Sequence, residues 1–301
     1  MPLQDSLPTL SAVELRRLIG NKEISPVALL DACIARIEAY NPKINAITAT
    51  DFERAREQAR EAERAVMRGE PLGLLHGLPL GVKDLEATAG LLTTFGSPLY
   101  RGNVPAQDNV LVARLRAAGA IVTAKTNVPE MGAGANSRNV VWGATGNPFD
   151  PSLNAGGSSG GSAAALACDM LPVCTGSDTG GSLRIPAAKC GVVGFRPSPG
   201  LVPVERRGLG WTPISVVGPM GRSVADTWRC VIAPKDITPA QTAFWENALR
   251  QVTEHDEFRK SAERNHWDVS YKSAAETRKF MEAEYADFKR VMTQFGLVSK
   301  Q

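Results

Sequence analysis

Polar capping residues followed by periodic apolar positions mark the first seventy residues as helical. Ser11-Ala12-Val13-Glu14 has the spacing of a capping box and opens a short helix that stops at Gly20. Ser25-Pro26 then supplies an N-cap and a proline at the first helical position before LLDACIARIEAY. A third stretch, 51–68, is charged on one side and alanine-rich on the other, which predicts a helix with one solvated face. From Pro71 the period changes. LHGLPLGVKD reads as a short buried strand ending in Val82-Lys83-Asp84, and after Asp108 the run VLVARLRAAG predicts a helix leading into the strand AIVTAK. The alternation continues through SAAALACDMLPVCTGSD. The pattern is α/β, a mixed sheet covered by helices over 71–230, with 1–70 as its helical N-terminal segment.

The pattern changes again near residue 231. Of the 28 glycines only Gly296 lies beyond residue 230, and the last 71 residues carry 11 basic and 11 acidic side chains. Thr238-Pro239-Ala240-Gln241 caps a predicted helix bearing Phe244, Trp245, Leu249 and Val252. Ser273 and Glu276 cap another, striped with Phe280, Met281, Phe288, Val291, Met292 and Phe295 and ended by Gly296. Residues 231–301 therefore read as a helical tail of a different style.

Composition narrows the function classes. With 43% hydrophobic and 22% charged residues in 301, the chain has the make-up of a soluble globular protein. A formal charge of +3 without a Lys/Arg block argues against nucleic-acid binding. No secretory signal pattern opens the sequence and no apolar run is long enough to span a bilayer, so the expectation is a cytoplasmic protein, monomeric or homo-oligomeric, without membrane attachment. The five cysteines, Cys33, Cys168, Cys174, Cys190 and Cys230, are scattered and show no ligand spacing, so neither a disulfide framework nor a metal site is expected, and no cofactor motif stands out.

The chemistry concentrates in two serine-bearing glycine loops, Gly156-Gly157-Ser158-Ser159-Gly160-Gly161-Ser162 and Gly176-Ser177-Asp178-Thr179-Gly180-Gly181-Ser182. Glycine at this density persists where φ must be positive or where something approaches the main chain closely. A Walker A loop is excluded, because Gly161 is followed by Ser162 and Ala163 with no lysine. A dinucleotide fingerprint at Gly132-Ala133-Gly134 lacks its third glycine. Gly156-Gly157-Ser158-Ser159-Gly160 fits the GxSxG elbow, but the only histidines are His76, His255 and His266, and the two downstream ones fall in the charged tail. A lysine can replace the histidine if burial drives off its proton. Lys83, at the end of the apolar strand GLPLGVK rather than on a charged helix, suits that role, with Lys125, after AIVTA, as its rival.

At these residues the sequence resembles the amidase signature family of amide hydrolases. The resemblance covers roughly 5–230. It rests on the two loops, on the continuation through Leu183-Arg184-Ile185-Pro186 to Phe195-Arg196-Pro197, and on Gly81-Val82-Lys83-Asp84, Lys125-Thr126-Asn127, Gly146-Asn147-Pro148-Phe149-Asp150 and Gly218-Pro219-Met220. It implies Ser182 as nucleophile, Ser158 as a bridging serine after a cis Gly157-Ser158 bond, and Lys83 as base. It further implies an oxyanion hole from the N–H groups of Thr179, Gly180, Gly181 and Ser182, with Ser159, Asp178 and Arg184 in support, and a small-molecule amide as substrate.

Members of that family continue with further strands and helices where this chain does not. From about Ala233 the sequence instead resembles the C-terminal end of substrate-binding proteins of tripartite tricarboxylate transporters. The expectation is a C-terminally truncated amidase fold fused to a foreign tail, with an unfinished sheet edge that lowers solubility. Alternatives to a working amidase are an inactive remnant and a protein like the ammonia-releasing subunit of a tRNA-dependent amidotransferase.

Overall fold

The computed structural model describes residues 6–204 and 214–229, together with Asn247, Gln251, Glu254, Asp256, Arg259, Glu276 and Lys279, each helical and exposed. The apolar stripes expected between Phe244 and Val252 and between Phe280 and Phe295 lie outside the described residues. The chain divides into two compact units, Met1–Ile232 and Ala233–Gln301.

The N-terminal helices form where their caps predict. In α1 (Ala12–Gly20) the Ser11 side chain accepts from the Glu14 N–H, but Glu14 turns its carboxylate to Arg17 at 2.8 Å, so half of the capping box forms. In α2 (Pro26–Ile44) Ser25 accepts from Val27 and Ala28. This helix runs one turn beyond the apolar pattern, carries Pro42 in that turn and ends at Asn45 in the left-handed region. After β1 (Ile47–Thr50), α3 (Phe52–Arg68) starts on an Asp51 cap and buries Ala55, Ala59, Ala62, Ala65 and Val66. Its arginines and glutamates pair along the exposed face.

The core follows as β2 (Pro79–Lys83), α4 (Val110–Ala117), β3 (Ile121–Thr126), the two-residue strands β4 (Arg138–Asn139) and β5 (Gly143–Ala144), α5 (Gly160–Ala167), β6 (Val173–Asp178), α6 (Arg184–Cys190), β7 (Val193–Gly194), β8 (Val216–Gly221) and α7 (Val224–Arg229). Among the described residues the main sheet has six strands in the order β1-β3-β2-β6-β8-β7. The pairs β3/β2 and β2/β6 are parallel, while β1, β8 and β7 join antiparallel. The sheet is mixed and covered by helices.

Successive strand residues point to opposite faces. Leu80, Val82 and Val173 join Leu15, Ile19 and Leu29 in one core cluster. Cys174 and Met220 join Ala163, Ala164, Leu166 and Leu171 in another, around α5. Because strands flank it on both sides and apolar clusters cover both faces, every residue of β2 is buried, including Lys83 at its carboxyl end. No described helix is long and apolar enough to cross a membrane.

Candidate active site

Parallel strands bring their carboxyl ends together, and here β2, β3 and β6 end in Lys83, Thr126 and Asp178. The first serine loop reaches the same edge from the other direction, ending at the N-terminus of α5. The Gly157-Ser158 peptide is cis. Gly157 is required there by close approach, since a Cβ would stand 2.8 Å from the Asn136 main-chain nitrogen. Ser137 ties the loop down from below, its N–H donating to the Gly156 carbonyl at 2.9 Å and its Oγ accepting from Gly160 N–H at 2.9 Å.

Lys83 is 0% exposed, and its Nζ stands 2.8 Å from Ser158 Oγ, 2.8 Å from Ser159 Oγ and 2.9 Å from Ser177 Oγ. Three hydroxyls match three ammonium protons, yet no carboxylate is ion-paired with Lys83 among the described residues. Burial therefore dominates and pulls the amine down to about 7, against the smaller opposing pull of Glu86 and Asp178. An amine near neutrality can hold or release a proton. Sequence reasoning missed Ser177; its place in the second loop, two residues beyond Thr175, which accepts the Lys83 N–H at 2.8 Å, was the available signal.

Lys125, the rival base, is buried on β3 but touches none of the serines. Its Nζ donates to the Glu86 carbonyl and to Thr88 Oγ1 at 2.9 Å, with Asp84 Oδ1 at 3.9 Å. Geometry thus separates the two lysines. Val82 pairs with Lys125 and Lys83 with Thr126 across the β2/β3 ladder, so the two side chains leave opposite faces of the sheet. His76 bonds the Ala62 carbonyl of α3 at 2.9 Å, and His255 and His266 lie outside the described residues.

The second loop is organised by Asp178. Its carboxylate, 0% exposed, accepts from the N–H groups of Gly181 at 2.8 Å and Leu183 at 3.1 Å, and from Arg184 at 3.0 Å and Arg196 at 3.1 Å. Burial alone raises such a carboxyl, but Arg184 and the two N–H groups together hold it well below the usual carboxylate range. Gly181 turns the loop with φ +108°, a region that side chains disfavour. Because its N–H is taken by Asp178, Gly181 differs from the other expected oxyanion donors. The N–H groups of Thr179, Gly180 and Ser182 make no hydrogen bond among the described residues.

Ser182 is half-buried beside the first loop, its carbonyl accepting from Ser159 N–H at 3.3 Å. Its own Oγ makes no hydrogen bond among the described residues. Among the described residues, then, one short loop carries both a hydroxyl and three N–H groups without hydrogen-bond partners, groups whose chemistry suits a polar carbonyl. Among the described residues no cluster of His, Cys, Asp or Glu is placed to hold a metal ion, and the described cysteines are buried free thiols.

Comparison with known proteins identifies the family and the fold. The family model described as Amidase matches residues 28–285, reaching past the point where the resemblance was expected to end. An acylamidase of Rhodococcus erythropolis is 42% identical over 226 residues, which are 74% of this chain and 47% of that protein. A glutamyl-tRNA(Gln) amidotransferase subunit of Acaryochloris marina is 42% identical over 214 residues, 70% of this chain and 44% of that protein. The crystal structure of a bacterial aryl acylamidase of the amidase signature enzymes superposes with a TM-score of 0.70 at 37% identity, covering 74% of this chain and 46% of that one. The chain spans about half the length of the curated relatives it matches. With a family model matched over most of its length and the same α/β fold in a solved relative, the chain belongs to the amidase signature family.

Proposed function

We propose that the chain hydrolyses amide bonds through an acyl-enzyme on Ser182, with Ser158 as relay and Lys83 as base. The observation that carries this is the 2.8 Å separation of Lys83 Nζ and Ser158 Oγ at a buried site where no histidine meets them among the described residues. The neutral amine accepts the Ser158 proton, Ser158 accepts the Ser182 proton, and Ser182 Oγ adds to the amide carbonyl. The developing oxyanion faces Thr179, Gly180 and Ser182 N–H, where losing one donor costs about 3 kcal/mol of transition-state stabilisation. Collapse of the adduct breaks the C–N bond as the proton on Lys83 returns through Ser158 to the leaving amine. Water then adds to the ester by the same relay, releasing the acid and restoring Ser182.

Ser159 and Ser177 support this role by turning the Lys83 Nζ, and Asp178 with Arg184 by shaping the donor loop. The substrate is a small linear amide. A serine-directed fluorophosphonate tests the reading: labelling at Ser182 that requires Lys83 supports it, and folded protein that never labels favours an inactive remnant.

Relatives that are glutamyl-tRNA(Gln) amidotransferase subunits favour a second reading, in which the amide is glutamine and the product ammonia feeds a partner. Glutaminase activity without turnover of aryl amides would select it. For residues 231–301, the collapse in glycine content supports an origin different from that of 71–230, in a substrate-binding protein of a tripartite transporter. The family match through residue 285 weighs against that origin. Expression of 1–230 alone decides whether the tail is needed: a cooperatively melting fragment supports separate origins.

A further inference from the structure

The relay leaves a second buried lysine without a task. Lys125 is 0% exposed, and the groups it meets all lie on the turn that leaves β2: the Glu86 carbonyl, Thr88 Oγ1 at 2.9 Å and Asp84 Oδ1 at 3.9 Å. The Glu86 N–H closes that turn by donating to the Lys83 carbonyl at 3.0 Å. Lys125 and Lys83 are thus joined through Glu86, one on its carbonyl and the other on its N–H. Packing alone would be served by methionine, since burying an ammonium is unfavourable without compensation. Compensation is present. Asp84 is 1% and Glu86 8% exposed, and the other partners of these carboxylates are neutral: Thr94 for Asp84 and Asn109 for Glu86.

We infer that Lys125 is a positioning residue for the catalytic lysine: it holds the turn after Lys83 and offsets the charge of Asp84 and Glu86, which keeps the Lys83 amine ready to accept a proton. This rests on the reading of Lys83 as base. The charges around the pair leave few other ways to do so. Lys83 faces Glu86 and Asp178, and otherwise the hydroxyls of Ser158, Ser159 and Ser177. Asp178 is already offset by Arg184 and Arg196. Lys125 faces Asp84, Glu86 and Asp108, and Asp108 is offset by Arg116, near Arg54. Glu86 is the carboxylate that acts on both lysines, and Lys125 is the cation acting on it besides Lys83. Burial raises the Glu86 carboxyl, and Asn109, Lys125 and Lys83 oppose that rise; removing Lys125 takes away a like charge and leaves Lys83 as the cation that meets Glu86, which favours its ammonium.

The test reads the Lys83 charge directly. In protein labelled with 13Cε-lysine, the Lys83 resonance is assigned by its loss in Lys83→Met and titrated in the parent, Lys125→Met and Glu86→Gln. Lys125→Met should raise the Lys83 midpoint by about one pH unit and Glu86→Gln should lower it, as expected for a nearby buried charge. The pH profile of Ser182 labelling should move with the midpoint. A role confined to packing would lower labelling at every pH and leave the midpoint in place, and that result in folded Lys125→Met overturns the inference. Should Lys125→Met not fold, Glu86→Gln decides alone: a lowered midpoint supports the inference and an unchanged one overturns it. Absence of Ser182 labelling in the parent would count against the amidase reading, while the Lys83 midpoint stays measurable.

Discussion

Lys83 Nζ stands 2.8 Å from Ser158 Oγ, with the two residues 0% and 2% exposed. The pair is formed by a strand end and a helix-initiating loop 75 residues apart in sequence. Inside the protein the short contact is worth more than in water, because no solvent competes for the proton. The proposed relay depends on it.

Removing any member of the relay should remove the reaction. Ser182→Ala is expected to lower amide turnover by about a thousandfold or more and to abolish fluorophosphonate labelling. Ser158→Ala and Lys83→Met should each lose a similar factor, and the double variant little more, because the groups act as one unit. Turnover by Ser182→Ala at the parent's rate would refute the nucleophile assignment.

Activity should rise with pH through the titration of Lys83. Burial places that amine at about 7, so the accepting form is scarce at pH 6 and dominant at pH 8. Labelling of Ser182 is therefore expected to be slow at pH 6 and to reach a plateau above pH 8. A rate independent of pH across that range would remove Lys83 from the role of base.

The same amine makes a linkage prediction. Its folded value lies below the unfolded one, about 10.4, so the unfolded chain binds more protons in between and stability from this group rises with pH above about 7. Comparing parent with Lys83→Met by urea unfolding at pH 6.5 and pH 9 reads the effect of Lys83, together with the shift its loss makes in Lys125, which is coupled to it through Glu86. The parent should gain relative to the variant at the higher pH, by about 2 kcal/mol. No change in the difference would show that Lys83 is not held near neutrality.

Asp178→Asn should loosen the donor loop. Its buried carboxylate accepts two main-chain N–H groups and two arginines, so the variant replaces one of the two acceptor oxygens by a donor and is expected to lose about 2 kcal/mol of stability together with most Ser182 labelling. Thermal unfolding and labelling measured together check both parts.

Two glycines should respond in opposite ways to alanine. A Cβ on Gly161 would fall 2.1 Å from the Asn127 main-chain nitrogen, so Gly161→Ala should destabilise by about 3 kcal/mol or more. Gly180 has open space around its Cβ position, so Gly180→Ala should fold as the parent does. Melting curves of the two variants make the comparison.

Much of the fold was legible because short-range signals agreed with it. Ser11, Ser25 and Asp51 cap the helices they precede, and the alanine stripe of α3 faces inward. The two lysines were harder. Both end apolar strand-like runs, and one-dimensional pattern does not record which sheet face each side chain takes. The β2/β3 ladder does, since residues paired side by side share a face and Lys83 pairs with Thr126 rather than with Lys125. The amide donors show the same division. All four N–H groups of the loop looked equivalent along the chain, and only the fold of Asp178 back over residues 181–184 gives the Gly181 N–H a carboxylate partner.

By itself the sequence determined which elements form and which chemistry was at hand: glycine loops dense in serine, lysines at strand ends and no histidine nearby. These are local properties, written in spacing and residue type. Tertiary structure decided which groups meet. It set Lys83 rather than Lys125 against the serines, added Ser177 to the amine's partners and, among the described residues, left the Ser182 hydroxyl without a hydrogen bond. The reason is physical. Burial lowers the proton affinity of an amine, and burial is a property of the packed sheet and helices rather than of any stretch of chain.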